Sequence, residues 1–200
     1  MKYFVRDDGS CNHIVRFNPE TGEYIDNPAG QGCASGSSWS RGQSWALYGF
    51  TLSYMMTGKK EYLDTAIKVA NYFTACCSVT DWVPDCDFRQ PRDIYLKDNA
   101  AGGVAACGLM ELAKLLPETQ GATYRAAGCR LLKAMVDTCC DWTEVQPAIL
   151  TKCTGSFSAK DSHHITMNYA DYFMIEAFNK VLGKDSIQFW APDAHEFPVR

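Results

Sequence analysis

Residues 37–50, SSWSRGQSWALYGF, join polar side chains that could bind a ligand to the start of an apolar helix. Arg41 and Trp45 are four positions apart, so they share one face of a helix. A guanidinium binds a carboxylate through two parallel hydrogen bonds, and an indole offers a flat apolar surface to a sugar ring. The pair therefore predicts an acidic sugar as ligand. The alternative for these two residues is an arginine that caps a neighbouring loop beside a core tryptophan.

Three apolar segments predict the helices that would position this pair. They read ALYGFTLSYMMTG from Ala46, AACGLMELAKLLP from Ala105 and DYFMIEAFNKVLG from Asp171. Each has apolar residues at helical spacing for about three turns and then stops at a glycine or proline. The second segment starts 59 residues after the first, and the third starts 125 residues after it.

Amphipathic helices are predicted after the first two segments, from Tyr62 and from Tyr124. The repeating unit is thus a small-residue-rich inner helix, a tight turn, an outer helix and a long loop. A period of about 60 residues indicates an array of helical hairpins. Three inner helices do not close a ring, so the sequence predicts an all-α fold, about half of an (α/α) toroid. We expect one partial domain over residues 1–200: a lead-in with a short hairpin (1–36), helical hairpins (37–184) and a tail (185–200).

The loops before the inner helices carry most of the polar chemistry. Residues 39–43, 97–100 and 163–168 occupy equivalent places in the repeat. They should meet at one end of the inner helices, which we call the mouth. Helix N-termini there present unpaired N–H groups and partial positive charge, so the mouth can attract an anion.

Composition excludes several function classes. A formal net charge of -4 and a pI near 5.5 provide no electrostatic footprint for nucleic acid or an anionic membrane. No apolar run is long enough for a membrane span, and no signal peptide precedes residue 20. The chain either stays inside the cell or has its export signal outside this sequence; the cytoplasm is slightly favoured and the location is left open.

The ten cysteines and the His163-His164 pair offer no metal pattern. No C-x-x-C or paired Cys/His spacing is present, and adjacent histidines rarely reach one ion from a helix. We therefore predict neither a metal nor a cofactor. The cysteines are interpreted as reduced, buried small apolar residues, with a disulfide scaffold as the alternative.

Longer motifs resemble glycoside hydrolase family 88, the unsaturated glucuronyl hydrolases. They include YFVRDDGSCNHIVRFNPETGEY, GQG, WSRGQSWALYGF, VPDCDF, KDNAAGGVAACGLMELAKLL, TGSFS and YADYFMIEAF. The resemblance implies an (α/α) barrel of six hairpins, of which this chain would be the C-terminal half. It also implies substrate-binding functions for His13, Gln31, Arg41 and Trp45.

The reaction implied by the resemblance removes a 4,5-unsaturated uronic acid from oligosaccharides that polysaccharide lyases leave behind. An aspartic acid protonates the vinyl ether and water adds to it, so a neutral acid with a raised pKa is needed. The two family aspartates would precede Met1, and the catalytic residue is therefore unknown. Asp98 is a weak candidate, since a helix N-cap with a lowered pKa is expected there. Asp85 and Asp87 are expected far from the mouth or at its rim.

Three functions remain open from the sequence. The first is a hydrolase of this kind whose 200-residue chain is inactive alone, acting on lyase-derived oligosaccharides from glycosaminoglycans or other glycans. The second is a non-catalytic module that binds acidic sugars or a partner. The third is another α/α-toroid enzyme, such as a sugar epimerase or a zinc prenyltransferase, and the missing metal set argues against the latter. Exposed inner-helix faces further predict self-association or pairing with a missing N-terminal half.

Overall fold

The structure is a computed structural model that describes residues 1–143, 145 and 147–184. Its described elements are β1 Arg16–Phe17, β2 Tyr24–Asp26, α1 Ser40–Thr57, α2 Lys60–Ser78, α3 Asn99–Lys114, α4 Glu118–Thr138 and α5 Asn168–Val181, with a 3-10 turn at Lys160–Ser162. None of the described helices is long and apolar enough to cross a membrane. The predicted tail, residues 185–200, lies outside the described residues, and the division into lead-in, hairpins and tail stays a prediction.

The helices form two layers around α3. Helix α3 packs against α1 on one side, α5 on the other and α4 outside, while α2 covers α1. Every residue of α3 except Lys114 is buried. Small side chains allow this, because a Cβ at Gly108 would lie 3.0 Å from the Leu47 side chain and from the Tyr48 Cα. Inner helices α1, α3 and α5 with outer helices α2 and α4 confirm the predicted half toroid.

The inner helices begin earlier than their apolar runs. Helix α1 starts at Ser40 rather than Ala46, α3 at Asn99 and α5 at Asn168. Loop carbonyls bind N–H groups at these ends: Ser40 N donates to Cys86 O at 3.0 Å, and Asn99 N donates to Lys152 O at 3.2 Å. Such partners satisfy donors that a helix start otherwise leaves unpaired, so polar residues can be buried in the first turn.

A buried charge cluster joins the inner helices toward their C-terminal ends. We call it the base cluster, and it consists of Tyr48, Glu111, Glu176 and Lys180. The Lys180 Nζ lies 2.8 Å from Glu111 Oε1 and 3.2 Å from Glu176 Oε1. The Tyr48 hydroxyl donates to Glu176 Oε1. One residue from α1, one from α3 and two from α5 are thus held by charge and hydrogen bonds.

Two smaller sequence predictions concern the hairpin and the cysteines. The β1–β2 hairpin forms where expected, and its turn is fixed by Asn18 Oδ1, which accepts the Glu20 N–H at 2.8 Å. Six of the ten cysteines are buried, as interpreted from the sequence, and the other four are half-buried or exposed; their redox state stays a prediction. Burial raises the pKa of Cys11 to about 12, as expected of a thiol that packs as a small apolar group.

Candidate functional site

The N-terminal ends of the three inner helices meet at Arg41. Its Nε donates to Asp98 Oδ2 at 2.9 Å, its Nη1 donates to the Tyr169 hydroxyl, and its Nη2 donates to the carbonyl of Thr154. We call these four residues the mouth cluster. One guanidinium therefore links α1, the residue before α3, α5 and the loop that contains Thr154. Arg41 is only 4% exposed, so these bonds lie in the interior.

Arg41 and Trp45 are placed differently, although both belong to α1. The contacts of Arg41 match the alternative weighed above, an arginine that binds a neighbouring loop. Trp45, in contrast, is 40% exposed and is no core residue. A guanidinium has five N–H donors, and three of them are used by the mouth cluster. A direct bond from Arg41 to a ligand carboxylate stays a prediction.

Asp98 has a different environment from the expected one. It precedes α3, but its side chain makes no capping hydrogen bond. The carboxylate is fully buried instead, pairing with Arg41 and accepting the Thr154 N–H at 3.2 Å. Burial raises the pKa of Asp98, and the charge of Arg41 opposes that shift only in part. The expected lowered pKa is therefore wrong, because the group is desolvated rather than held at an open helix end.

A cavity of about 440 Å³ lies on the exposed side of α1, beside the mouth cluster. His13, Trp39 and Trp45 line it together with Phe4, Val5, Cys11, Asn12, Gly42, Ala46, Gly49, Phe50 and Ser53. The rings of His13 and Trp39 are stacked with a tilt at 4.4 Å between centroids. This volume is within the usual range for small-molecule sites. The structure thus brings together His13 and Trp45, two of the four residues predicted to bind substrate.

Gln31 is not among the residues that line this cavity. Its side-chain Nε2 donates to the carbonyl of Gly155, and its own carbonyl accepts the Phe157 N–H at 3.0 Å. Gln31 therefore joins the Gly-rich loop before α1 to the loop that follows Thr154. Its contact with a sugar stays a prediction.

Asp87 supports the loop that leads to the mouth, and the sequence did not predict this function. It was expected far from the mouth or at its rim, but it is completely buried beneath the loop that leads into α1. Its carboxylate accepts the N–H of Cys33 at 3.1 Å and of Ser38 at 3.0 Å. In the sequence, Asp87 is visible only as an aspartate within the motif VPDCDF. Its partners Cys33 and Ser38 lie about fifty residues earlier, so the motif does not reveal them.

The two adjacent histidines bind backbone groups. His163 Nε2 lies 3.0 Å from Phe157 O, and His164 Nε2 accepts the Lys97 N–H at 3.1 Å. Burial lowers the pKa of His164, in agreement with a neutral ring that accepts a hydrogen bond. In the part of the chain that the structure describes, no group of three or more His, Cys, Asp or Glu residues could hold a metal ion.

Comparisons with known proteins give the fold and sequence a context. No protein-family model matches the chain. An unsaturated glucuronyl hydrolase of Bacillus sp. (strain GL1) is 38% identical over 125 residues, which are 62% of this chain and 33% of that protein. An unsaturated chondroitin disaccharide hydrolase of Streptococcus agalactiae serotype III (strain NEM316) is 31% identical over 197 residues, 93% of this chain and 47% of the relative.

The crystal structure of the unsaturated glucuronyl hydrolase from Bacillus sp. GL1 superposes with a TM-score of 0.84 at 29% identity. The match covers 90% of this chain and 48% of that one. The chain is thus similar in sequence and fold to the unsaturated glucuronyl hydrolases, and its helices are those of their (α/α) toroid. It spans about half the length, or less, of the relatives it matches. Its place as the C-terminal half stays a prediction.

Proposed function

We propose that this chain forms the uronate-binding side of a hydrolase that removes 4,5-unsaturated uronic acids from lyase-derived oligosaccharides. The observation that carries the proposal is the cavity beside the mouth, where His13, Trp39 and Trp45 converge. Aromatic walls suit the apolar faces of a sugar ring, and a few polar groups fix its orientation. Similarity to relatives named for unsaturated glucuronyl and chondroitin-disaccharide hydrolysis supports the same substrate class.

Each chain residue has a distinct task in this proposal. Trp45 packs against the sugar ring, and His13 donates a hydrogen bond to it. Arg41 supplies positive charge behind the aromatic wall and holds Tyr169 in place beside Trp45, whose ring lies 6.5 Å away. Gln31 fixes the two loops that border the mouth.

The proton donor of the reaction is not assigned to this chain. Among the residues that the structure describes, none that lines the cavity is a carboxylate. Asp98 has a raised pKa, which suits a proton donor, but it is fully buried and bonded to Arg41. We propose that the acid belongs to the part of the ring that the relatives have and this chain does not match.

The cavity without a carboxylate favours a second function for the chain alone, a non-catalytic module that binds acidic sugars. Both functions require binding of an unsaturated uronic acid, but only the first requires turnover once the rest of the ring is present. Turnover therefore separates the two.

Binding of an unsaturated chondroitin disaccharide to the purified chain tests the proposal. We expect heat of binding by calorimetry and no loss of vinyl-ether absorbance. Trp45→Ala should weaken binding about thirtyfold, as truncation of a central aromatic anchor does. Trp142→Ala is the matched control, because Trp142 is 64% exposed and does not line the cavity. No binding by the folded chain, or equal losses in the two variants, would refute the uronate site.

A complementation assay then decides between enzyme and module. The part of the Bacillus relative that this chain does not match is co-expressed with it, and vinyl-ether absorbance is followed. Loss of absorbance that depends on both parts supports the hydrolase. Binding that persists while absorbance stays constant supports the module.

A further inference from the structure

Residues 4–13 form one wall of the candidate cavity, and we call them the wall loop. Five of its residues line the cavity: Phe4, Val5, Cys11, Asn12 and His13. None of the described helices or strands lies within the wall loop, and one isolated bridge joins Val5 to Cys11. Other contacts must therefore fix the loop beside Trp39 and Trp45, which line the same cavity.

Gln43 of α1 anchors the middle of the wall loop. Its side-chain oxygen accepts the Cys11 N–H at 2.7 Å, and its Nε2 donates to the carbonyl of Gly9 at 2.6 Å. Gly9 also packs closely on α2, because a Cβ there would lie 2.3 Å from a backbone oxygen of that helix. These contacts hold the backbone of the loop against the helices, but the end of the loop, which carries His13, needs a further support.

Arg6 provides that support by joining the end of the wall loop to the loop that leads into α1. Its Nη2 donates to Asn12 Oδ1 and lies 2.6 Å from the carbonyl oxygen of Gly36 and 2.9 Å from that of Ser37. The planar fork of a guanidinium suits such a task, since it directs several donors to acceptors on different segments. One side chain thus links segments that lie about thirty positions apart in the sequence.

The two segments that Arg6 joins carry the two rings that stack in the cavity. His13 directly follows Asn12, and Trp39 lies two positions after Ser37. The centroids of the imidazole and indole rings are 4.4 Å apart. The position of the imidazole relative to the indole therefore depends on how closely the two segments are held together.

Asn27 supports the same contact from a second direction. Its Nδ2 donates to Asn12 Oδ1 at 2.8 Å, so this oxygen accepts hydrogen bonds from both Asn27 and Arg6. The Asn12 amide nitrogen in turn donates to the carbonyl of Tyr3 at 2.9 Å. The Asn12 side chain is thus fixed at both its oxygen and its nitrogen, which restricts the backbone that places His13.

We propose that Arg6 is a positioning residue of the candidate site, which holds the imidazole of His13 against Trp39 through Asn12. Arg6 is not among the residues that line the cavity, so it acts through these side chains and not on the ligand. The expected effect on sugar binding rests on the proposed function, but the stacking of the two rings can be measured without a ligand. The two proposals can therefore fail separately.

Arg89 offers a matched control in the same region. Its Nη1 donates to the carbonyl of Gly36 at 3.2 Å, and its Nη2 donates to Asp8 Oδ2 at 2.8 Å. Arg89 therefore supports the same loops as Arg6, but its hydrogen bonds within the described residues do not include Asn12. A change that follows from general loosening of these loops should appear in variants of both arginines.

NMR of the full chain without ligand is the first test. A stacked indole shifts the carbon-bound ring protons of His13 upfield, and His13→Gln assigns their signals among those of the four histidines. Arg6→Gln should reduce this shift by at least half, whereas Arg89→Gln should leave it unchanged. Circular dichroism checks that each variant keeps its helices. If Arg6→Gln does not, Asn27→Ala makes the same test, because it removes the other hydrogen bond to Asn12 Oδ1.

Calorimetry with an unsaturated chondroitin disaccharide then measures the effect on binding. Arg6→Gln should weaken binding about tenfold, the loss that one misplaced hydrogen bond to a ligand causes. An unchanged His13 shift in the folded variant would overturn the proposal, and so would an equal change in Arg89→Gln. If the shift depends on Arg6 but the wild type binds no disaccharide, the positioning is supported and the uronate site is refuted.

Discussion

The two ends of the inner-helix layer each contain a buried ion-pair cluster, and the clusters differ in what they connect. The base cluster joins helix to helix: Tyr48, Glu111, Glu176 and Lys180 all belong to α1, α3 or α5. The mouth cluster also joins helices to a loop, because Arg41 binds the Thr154 carbonyl. The base therefore fixes the scaffold, while the mouth fixes the loops that border the cavity.

The choice of cation follows from this difference. Lys180 is a compact charge that lies between two carboxylates of neighbouring helices. Arg41 bonds three acceptors through three separate nitrogens spread over a plane, a geometry that the single nitrogen of an ammonium group does not offer. Stability should thus depend on the base cluster, and both stability and ligand binding on the mouth cluster.

Lys180→Met should have the largest effect on stability. It removes the cation that Glu111 and Glu176 share, although Lys114 stays 3.1 Å from Glu111, and breaking a buried pair costs about 3–5 kcal/mol. Urea unfolding at neutral pH measures the loss. Lys133→Met is the control, because the Lys133–Asp137 pair is exposed and should contribute less than about 1 kcal/mol. Equal losses of unfolding free energy in the two variants would show that the base cluster stabilises the fold no more than the exposed pair does.

Arg41→Lys should have an intermediate effect on stability. The charge beside Asp98 remains, but the Thr154 carbonyl and the Tyr169 hydroxyl lose their donor. A buried group without a partner costs about 1–3 kcal/mol. We also expect weaker binding of an unsaturated disaccharide, since the loops at the mouth are no longer held. A variant as stable as the wild type by urea unfolding would show that the fork geometry does not matter.

The smallest effects should appear in the pH dependence of stability. Burial raises the pKa of Asp98. Between the ordinary aspartate pKa and the raised one, the folded state therefore holds a proton that the unfolded state has released. The free energy of unfolding should fall as pH rises from the ordinary aspartate pKa to the raised one, by at most about 1.4 kcal/mol per pH unit. Asp98→Asn should remove this slope; an unchanged slope would contradict the raised pKa.

Lys180 should produce the corresponding change at alkaline pH. Burial alone would lower its pKa, but the hydrogen bond and charge of Glu111, joined by Glu176, raise it overall. The stabilisation of the folded state by charged Lys180 is complete below the ordinary lysine pKa. It is lost as pH rises through the raised pKa. Urea unfolding above pH 10 should show this loss in the wild type and not in Lys180→Met. The same loss of stability in the wild type and in Lys180→Met would show that other groups cause it.

The sequence predicted the helices better than the charges inside them. Apolar spacing and the 59-residue repeat identify inner and outer helices, because periodicity is a local property of the chain. The pairing of Arg41 with Asp98 joins residues 57 positions apart and depends on how α1 packs against α3. No local pattern contains that information, so the sequence left Arg41 open between a ligand and a neighbouring loop and did not identify Asp98 as its partner.

Some buried charges did leave a signal. Glu111 lies in the middle of the apolar run AACGLMELAKLLP, and a charged residue in such a run is rarely buried without a partner. Its partner Lys180, 69 positions later, could not be chosen from sequence. Asp171, at the start of the third apolar segment, accepts the N–H groups of Ile149 and Leu150 at 3.0 and 2.7 Å.

The bonds that build the mouth have a consequence for synthesis on the ribosome. Gln31 bonds a residue 124 positions later, and Arg41 bonds residues 113 and 128 positions later. Hairpins α1–α2 and α3–α4 can form from neighbouring stretches as they emerge, but the ligand-facing loops must wait until α5 has left the exit tunnel. A nascent chain that stalls after α4 would therefore be rich in helix yet lack the bonds that order the loops at the mouth.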